Sequence, residues 1–260
     1  MDRNVDAPWS EFDPEAYVDD NYRTPLEVDV RLVLLVRDYF SHCFDGVVPR
    51  SVRGVDVGAG ANLYPALAML PWCESILLLE YARPNVEYLE RQIAPEGFDS
   101  VWDAFWDLFR QAPAYRDIEP RSRAREIMRV ERADLFDLDG TRRWGIGTMF
   151  FVADSMSAHP EEFRRGVRCF MNALDDGAPF AAAFMKESAG YRVGGHSYPA
   201  CRVGEEQIRE SLEPFTAELD IHELNHVVRP GHEGIVLALG RRRAENAPPG
   251  ISRYSFAREV

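Results

Sequence analysis

The sequence predicts an α/β fold, a doubly wound sheet of seven strands with an N-terminal helical lid and a C-terminal antiparallel hairpin. Three observations carry that prediction. Short apolar runs at 52–57, 75–80, 126–132, 147–153 and 179–185 alternate with helix-like stretches, the pattern of parallel strands joined by crossover helices. The first run feeds the turn Gly58-Ala59-Gly60, and the second ends on an acidic residue, Glu80, twenty positions after Gly60. Two β-rich runs, 217–228 and 234–239, then flank Arg229-Pro230-Gly231, a turn that brings the chain back antiparallel to itself.

In chain order, residues 9–21 are polar with interspersed aromatics, and 26–44 set Val30, Val33, Leu34, Val36 and Phe40 at helical spacing. Residues 1–48 therefore read as a lid or cap before a core at 49–243. Core helices are expected at 62–70, 84–93 and 161–174, the last stopped by Asp175-Asp176-Gly177, where glycine suits a left-handed C-terminal cap. Residues 97–125 are an insertion before the third strand. In it Trp102, Phe105, Trp106 and Phe109 fall at i, i+3, i+4 and i+7, one helical face that either packs against the sheet or walls a substrate pocket. Pro248, Pro249 and Gly250 make 244–260 a loose tail.

With 260 residues, 46% of them hydrophobic and 28% charged, the chain suffices for one well-buried domain with appendages. Its formal charge of −13 argues against nucleic acid and anionic membranes, which need clustered cations. Only Lys186 among the 30 basic residues is lysine, so a Schiff-base mechanism has a single residue to draw on. Cys43, Cys73, Cys169 and Cys201 show neither CxxC spacing nor a dense framework and read as reduced thiols. No apolar stretch nears the roughly twenty residues of a membrane span. The N-terminus carries Asp2, Asp6, Glu11 and Asp13 rather than the basic and apolar regions of a signal peptide. The expectation is a cytoplasmic protein, a monomer or weak homodimer.

The glycine turn carries the chemistry. Glycines there permit positive φ and let a ligand touch backbone, while a carboxylate ending the neighbouring strand can accept from two vicinal ribose hydroxyls. Gly58, Gly60 and Glu80 fit those roles. A dinucleotide fingerprint would place a third glycine where Leu63 stands, a residue needed for close packing around a pyrophosphate. A nucleoside cofactor without phosphates escapes that need, and S-adenosylmethionine is one. Its adenine calls for a polar contact past the third strand, where Asp134 stands in Ala133-Asp134-Leu135. His222-Glu223-Leu224-Asn225-His226 matches the zinc-protease pattern HExxH, which works only on a helix. Between Ile221 and Val227 it reads as strand, where its two histidines stand roughly 13 Å apart at ~3.3 Å per residue, too far for one zinc. No metal site is expected.

These pieces resemble the family of small-molecule methyltransferases that includes nicotinamide, phenylethanolamine and indolethylamine N-methyltransferases, over most of residues 9–243 and with its Rossmann-like sheet. Phe12-Asp13-Pro14-Glu15-Ala16-Tyr17 with Asn21-Tyr22 is similar to that family's cofactor-covering segment. The run from Val55 to Tyr64 is similar to its glycine turn, and Glu80-Tyr81-Ala82-Arg83-Pro84-Asn85 to its Asp-Tyr-x-x-x-Asn stretch. Lys186-Glu187-Ser188 with Tyr191-Arg192-Val193-Gly194 resembles its substrate loop. By this resemblance Tyr17, Tyr22, Gly58, Ala59, Gly60, Tyr64, Glu80, Tyr81, Asn85, Asp134 and Leu135 line the cofactor site, and Glu187 and Tyr191 face the acceptor as catalytic residues. The chain departs from the family at Glu80, which stands for an aspartate. It departs again at Phe184, where the nicotinamide enzyme uses an aspartate for the amide; an amine or heteroaromatic other than nicotinamide is the expected acceptor.

The resemblance implies in-line transfer of a methyl group from S-adenosylmethionine to a nitrogen of a small molecule. Tyr17 and Tyr22 would close over the cofactor, and Glu187 would bind an ammonium and help remove its proton. The alternatives are an NAD(P)-dependent oxidoreductase, a zinc hydrolase built on His222 and His226, and a non-catalytic protein that binds S-adenosylmethionine.

Overall fold

The computed structural model describes residues 3–47, 49–225 and 231–245. Its N-terminal part holds α1 (Pro14–Asn21) and α2 (Glu27–Cys43). Helix α1 starts where Asp13 caps the Ala16 N–H at 3.0 Å and Pro14 takes the first turn, where a missing N–H costs nothing. Helix α2 starts where the Asp29 carboxylate accepts the Leu26 N–H at 3.0 Å, and its apolar stripe of Val28, Leu32, Val33, Val36 and Phe40 is buried. Then come β1 (Val52–Val57), α3 (Tyr64–Leu67), β2 (Cys73–Glu80), α4 (Arg83–Gln92), α5 (Val101–Phe109), α6 (Pro120–Ile127), β3 (Met128–Arg132) and β4 (Ile146–Phe150). The chain continues through α7 (Pro160–Asn172), β5 (Pro179–Lys186), β6 (Tyr191–Val193), β7 (His196–Tyr198), α8 (Glu205–Leu212), β8 (Thr216–Leu224) and β9 (Gly234–Arg242).

Seven strands form one sheet in the order β3-β2-β1-β4-β5-β9-β8. Strands β1 to β5 pair in parallel, and β9 runs antiparallel to both β5 and β8. This is the expected doubly wound sheet with its terminal hairpin. Successive strands step outward from β1 in one direction to β3, then in the other from β4 to β8. The chain therefore reverses at the β1–β4 boundary, which opens a crevice beyond the carboxyl ends of those strands. Buried apolar side chains pack both faces. Val36, Phe40, Leu67, Leu78 and Phe105 sit with α2, α3 and α5 on one side; Val55, Val57, Phe163, Phe170, Phe180 and Leu212 sit with α7 and α8 on the other. Strand β5 shows the alternation: Ala181 and Ala183 face the first cluster, Phe180, Ala182 and Phe184 the second.

Several boundaries differ from expectation. The helix expected at 62–70 is a single turn, α3, because Leu63 to Leu70 are buried on every side and the chain turns at once into β2. The aromatic insertion becomes α5, and Trp102, Phe105, Trp106 and Phe109 are buried there. Tyr22 and Tyr64 meet α5 through ring contacts with Trp102 and Phe105 at 5.0 to 5.9 Å, so the stripe faces the helical layer. The β6–β7 hairpin, α6 and α8 are elements not expected, and α6 takes the first two residues of the strand expected at 126–132, which begins at Met128. His222 lies in β8, as strand, with Asp220 Oδ2 3.2 Å from its Nε2. His226, Arg229 and Pro230 lie outside the described residues, as does the expected tail beyond residue 245. No helix among the described residues is long and apolar enough to cross a membrane.

Candidate functional site

The crevice encloses about 1220 Å³ of atom-free space, its open mouth included. Its floor is the glycine turn after β1. Gly58 (φ +65°) and Gly60 (φ +59°) both adopt left-handed backbone, for different reasons. A Cβ on Gly58 would stand 2.6 Å from the Val152 methyls, whereas Gly60 meets only the Gly58 carbonyl at 3.8 Å. Gly58 is small so that the loop after β4 can press on the turn; Gly60 leaves its face open to a ligand.

Glu80, ending β2, locks the turn in place. Its Oε2 accepts the Gly60 N–H at 2.8 Å and its Oε1 the Ala82 N–H at 2.7 Å. Burial raises its pKa, and these N–H groups with the Asn85 side chain pull the other way. Asn85, 4% exposed, lines the same wall, and its buried Oδ1 meets no partner among the described residues. An orphaned acceptor of that kind stays unpaired at a cost of ~1–3 kcal/mol, so it points to a ligand donor. Asp134 follows β3, caps the Phe136 N–H at 2.8 Å and lines the crevice with Ala133 and Leu135.

Beyond β4 the wall turns apolar. Phe150, Phe151, Val152, Met156 and Met185 line it with Ser155. Phe151 holds φ +59°, uncommon for a bulky residue, and is fixed by its N–H bond to the Ala183 carbonyl at 2.7 Å. The roof is N-terminal: Asn4, Trp9, Phe12, Tyr17, Asn21, Tyr22 and Asp29. This strap is pinned where Glu162 Oε2 accepts the Asn4 N–H at 2.9 Å and where Trp9 stacks on Tyr198 at 5.3 Å. Tyr191 joins it through its own stack on Tyr198 at 5.2 Å.

Of the residues expected at the site, Tyr17, Tyr22, Gly58, Ala59, Gly60, Glu80, Tyr81, Asn85, Asp134, Leu135 and Tyr191 are brought together around one crevice. Tyr64 and Glu187 are not among the lining residues. Tyr64 opens α3 and is buried behind the turn, stacked on Phe105 at 5.0 Å and 3°. Glu187 has φ +52°. Its N–H bonds to the Val203 carbonyl at 2.9 Å, and its Oε1 lies 3.2 Å from where a Gly204 Cβ would stand. The carboxylate therefore points toward the start of α8. Sequence reasoning missed Asp29, 6% exposed, whose position in an amphipathic helix reads as surface until α2 is seen docked. Ser155 and Phe151 were missed for a similar reason, since both sit in a loop that only tertiary contacts place.

The described lining residues include three carboxylates, Asp29, Glu80 and Asp134, and no lysine, arginine or histidine. A wall so charged suits a cationic or neutral ligand and gives a pyrophosphate no countercharge.

A profile described as the NNMT/PNMT/TEMT family matches residues 4–239. A search of curated proteins returns no match. Among solved structures, the chain overlaps N-methyltransferase NodS from Bradyrhizobium japonicum WM9 in complex with S-adenosyl-L-homocysteine, at 11% identity and a TM-score of 0.48, over 91% of this chain and 92% of that one. It also overlaps 1,6-didemethyltoxoflavin-N1-methyltransferase from Burkholderia thailandensis at 13% identity and a TM-score of 0.48, over 89% of this chain and 87% of that one.

Proposed function

The chain belongs to the NNMT/PNMT/TEMT family of S-adenosylmethionine-dependent methyltransferases, and we propose that it moves the methyl group to a nitrogen of a small molecule. The observation that carries this reading is the crevice itself, which is anionic, built on an open glycine turn and free of cationic side chains among its described lining residues. That wall suits a sulfonium donor and a neutral or ammonium acceptor, and it disfavours carboxylate and phosphate acceptors as well as dinucleotides.

In this reading Glu80 and Asn85 would hold the ribose, Asp134 and Leu135 would meet the adenine, and Gly58, Ala59 and Gly60 would lie against the cofactor, with Tyr81 beside them. Bound there, S-adenosylmethionine supplies an electrophilic methyl group. The protein's share is position and dryness. Tyr17 and Tyr22 close the roof, Trp9 and Phe12 extend it, and Tyr191 walls the acceptor. Alignment of donor and acceptor in a water-poor crevice can account for up to ~7–11 kcal/mol of barrier reduction. Tyr64 supports the turn from behind. Glu187 is outside the crevice and is given no step. Incubation with S-adenosylmethionine and a panel of small amines and heteroaromatics, read as released S-adenosylhomocysteine, tests the reading. Release that depends on an added nitrogen acceptor is expected; release confined to oxygen or carbon acceptors would contradict it.

A further inference from the structure

The acceptor must take the part of the crevice that the cofactor leaves, and this inference rests on the reading above. Glu80, Asn85 and Asp134 belong to the β2 and β3 side of the sheet, so the free side is the one built by the ends of β4 and β5. Its lining there is Phe150, Phe151, Val152, Ser155, Met156 and Met185. Ser155 is the sole side chain of these six with a hydroxyl.

Ser155 is 7% exposed, and its Oγ donates to Asp154 Oδ2 at 3.0 Å. Asp154 is wholly buried. The same Oδ2 accepts the Met185 N–H at 3.0 Å, and the Asp154 carbonyl accepts the Cys201 N–H at 2.7 Å. The carboxylate is thus fixed between the loop after β4 and the end of β5. A serine hydroxyl has one hydrogen; once that hydrogen is committed to Asp154, its oxygen has only lone pairs left to offer.

The geometry points to Ser155 as a specificity-determining hydroxyl that accepts a hydrogen bond from an N–H of the methyl acceptor, with Asp154 as the positioning residue that sets its direction. The acceptor is then an amine that carries an N–H, in its neutral or ammonium form. A pyridine-type nitrogen brings only a lone pair, which faces the lone pairs of Ser155 and is refused.

The matched probes are 1,2,3,4-tetrahydroisoquinoline, which has an N–H, and isoquinoline, which has the same skeleton and none. Each is titrated calorimetrically into the full chain loaded with S-adenosylhomocysteine. The tetrahydro probe is expected to bind at least about tenfold tighter, an effect the size of one hydrogen bond to a charged group. Ser155→Ala removes about that factor and leaves isoquinoline and S-adenosylhomocysteine affinity unchanged, and Ser155→Thr restores it. Asp154→Asn, with its amide oxygen in the Oδ2 position for both the Met185 N–H and the Ser155 hydroxyl, keeps the hydroxyl hydrogen committed and the tetrahydro preference with it, whereas Asp154→Ala removes that acceptor and frees the hydroxyl hydrogen to turn into the crevice. Preference then swings toward isoquinoline, a change that loss of structure alone would not produce. The proposal is overturned if Ser155→Ala binds the tetrahydro probe within twofold of wild type, if Asp154→Ala weakens both probes alike, or if the loaded protein binds neither. Failure to bind S-adenosylhomocysteine at all would instead remove the function on which this inference rests.

Discussion

Two buried carboxylates, Asp56 and Glu80, lie near the carboxyl ends of the neighbouring strands β1 and β2. Asp56 lies in β1, 1% exposed, where one oxygen accepts the Thr148 hydroxyl at 2.8 Å and the other meets no partner among the described residues. Burial pushes its pKa up to about 8, the Thr148 bond opposes that rise and the Glu80 charge adds to it. The sign follows from linkage. Asp56 holds its proton in the folded chain up to about pH 8, while the unfolded chain loses it near ~4. Folded protein therefore binds more protons between those values, and stability falls as pH rises through that window. Thermal melts from pH 5 to pH 9 should show a decline that Asp56→Asn flattens; parallel slopes would contradict the assignment. The raised Glu80 pKa acts in the same direction. In the proposed site Glu80 also carries affinity: replacing it with alanine would remove a ribose acceptor along with the Gly60 anchor, and should weaken S-adenosylmethionine binding by about 1–3 kcal/mol in a calorimetric titration.

At the scale of elements, α5 separates structure from function. Phe105 is fully buried, touches Tyr22 and Tyr64 and does not line the crevice. Phe105→Ala should cost about 3–5 kcal/mol of stability with cofactor affinity preserved in protein that remains folded. Affinity lost in proportion to stability would instead make α5 part of the site. Elements were legible where the signal is local. Strand β1 stands at the expected residues because an apolar run there enters a glycine turn; α2 follows from its apolar spacing, and α4 and α7 from prolines in their first turns. The β6–β7 hairpin escaped because its strands have three residues each, too few for alternation to register, although Gly194-Gly195 between them is a hairpin turn signal. Helix α8 shows only Ile208 and Leu212 as buried positions, too little for a periodic pattern.

For the whole molecule, order in sequence became proximity because a doubly wound sheet gathers the carboxyl ends of its parallel strands along one edge. That is why Gly60, Glu80 and Asp134 could be placed at one site from spacing alone. Residues whose position depends on docking, such as Asp29 on α2, Ser155 beyond β4 and the strap around Trp9, follow no spacing rule. Tyr64 and Glu187 show the converse: a motif fixes where a residue sits along the chain but not which way its side chain turns. The central claim is that this anionic crevice holds a nucleoside sulfonium and has no place for a dinucleotide. Calorimetric titration of the full chain with S-adenosylmethionine and, separately, with NAD tests it most directly. One molecule of S-adenosylmethionine bound per chain, with no heat from NAD, is the predicted result; saturable NAD binding alongside silence from S-adenosylmethionine would contradict it.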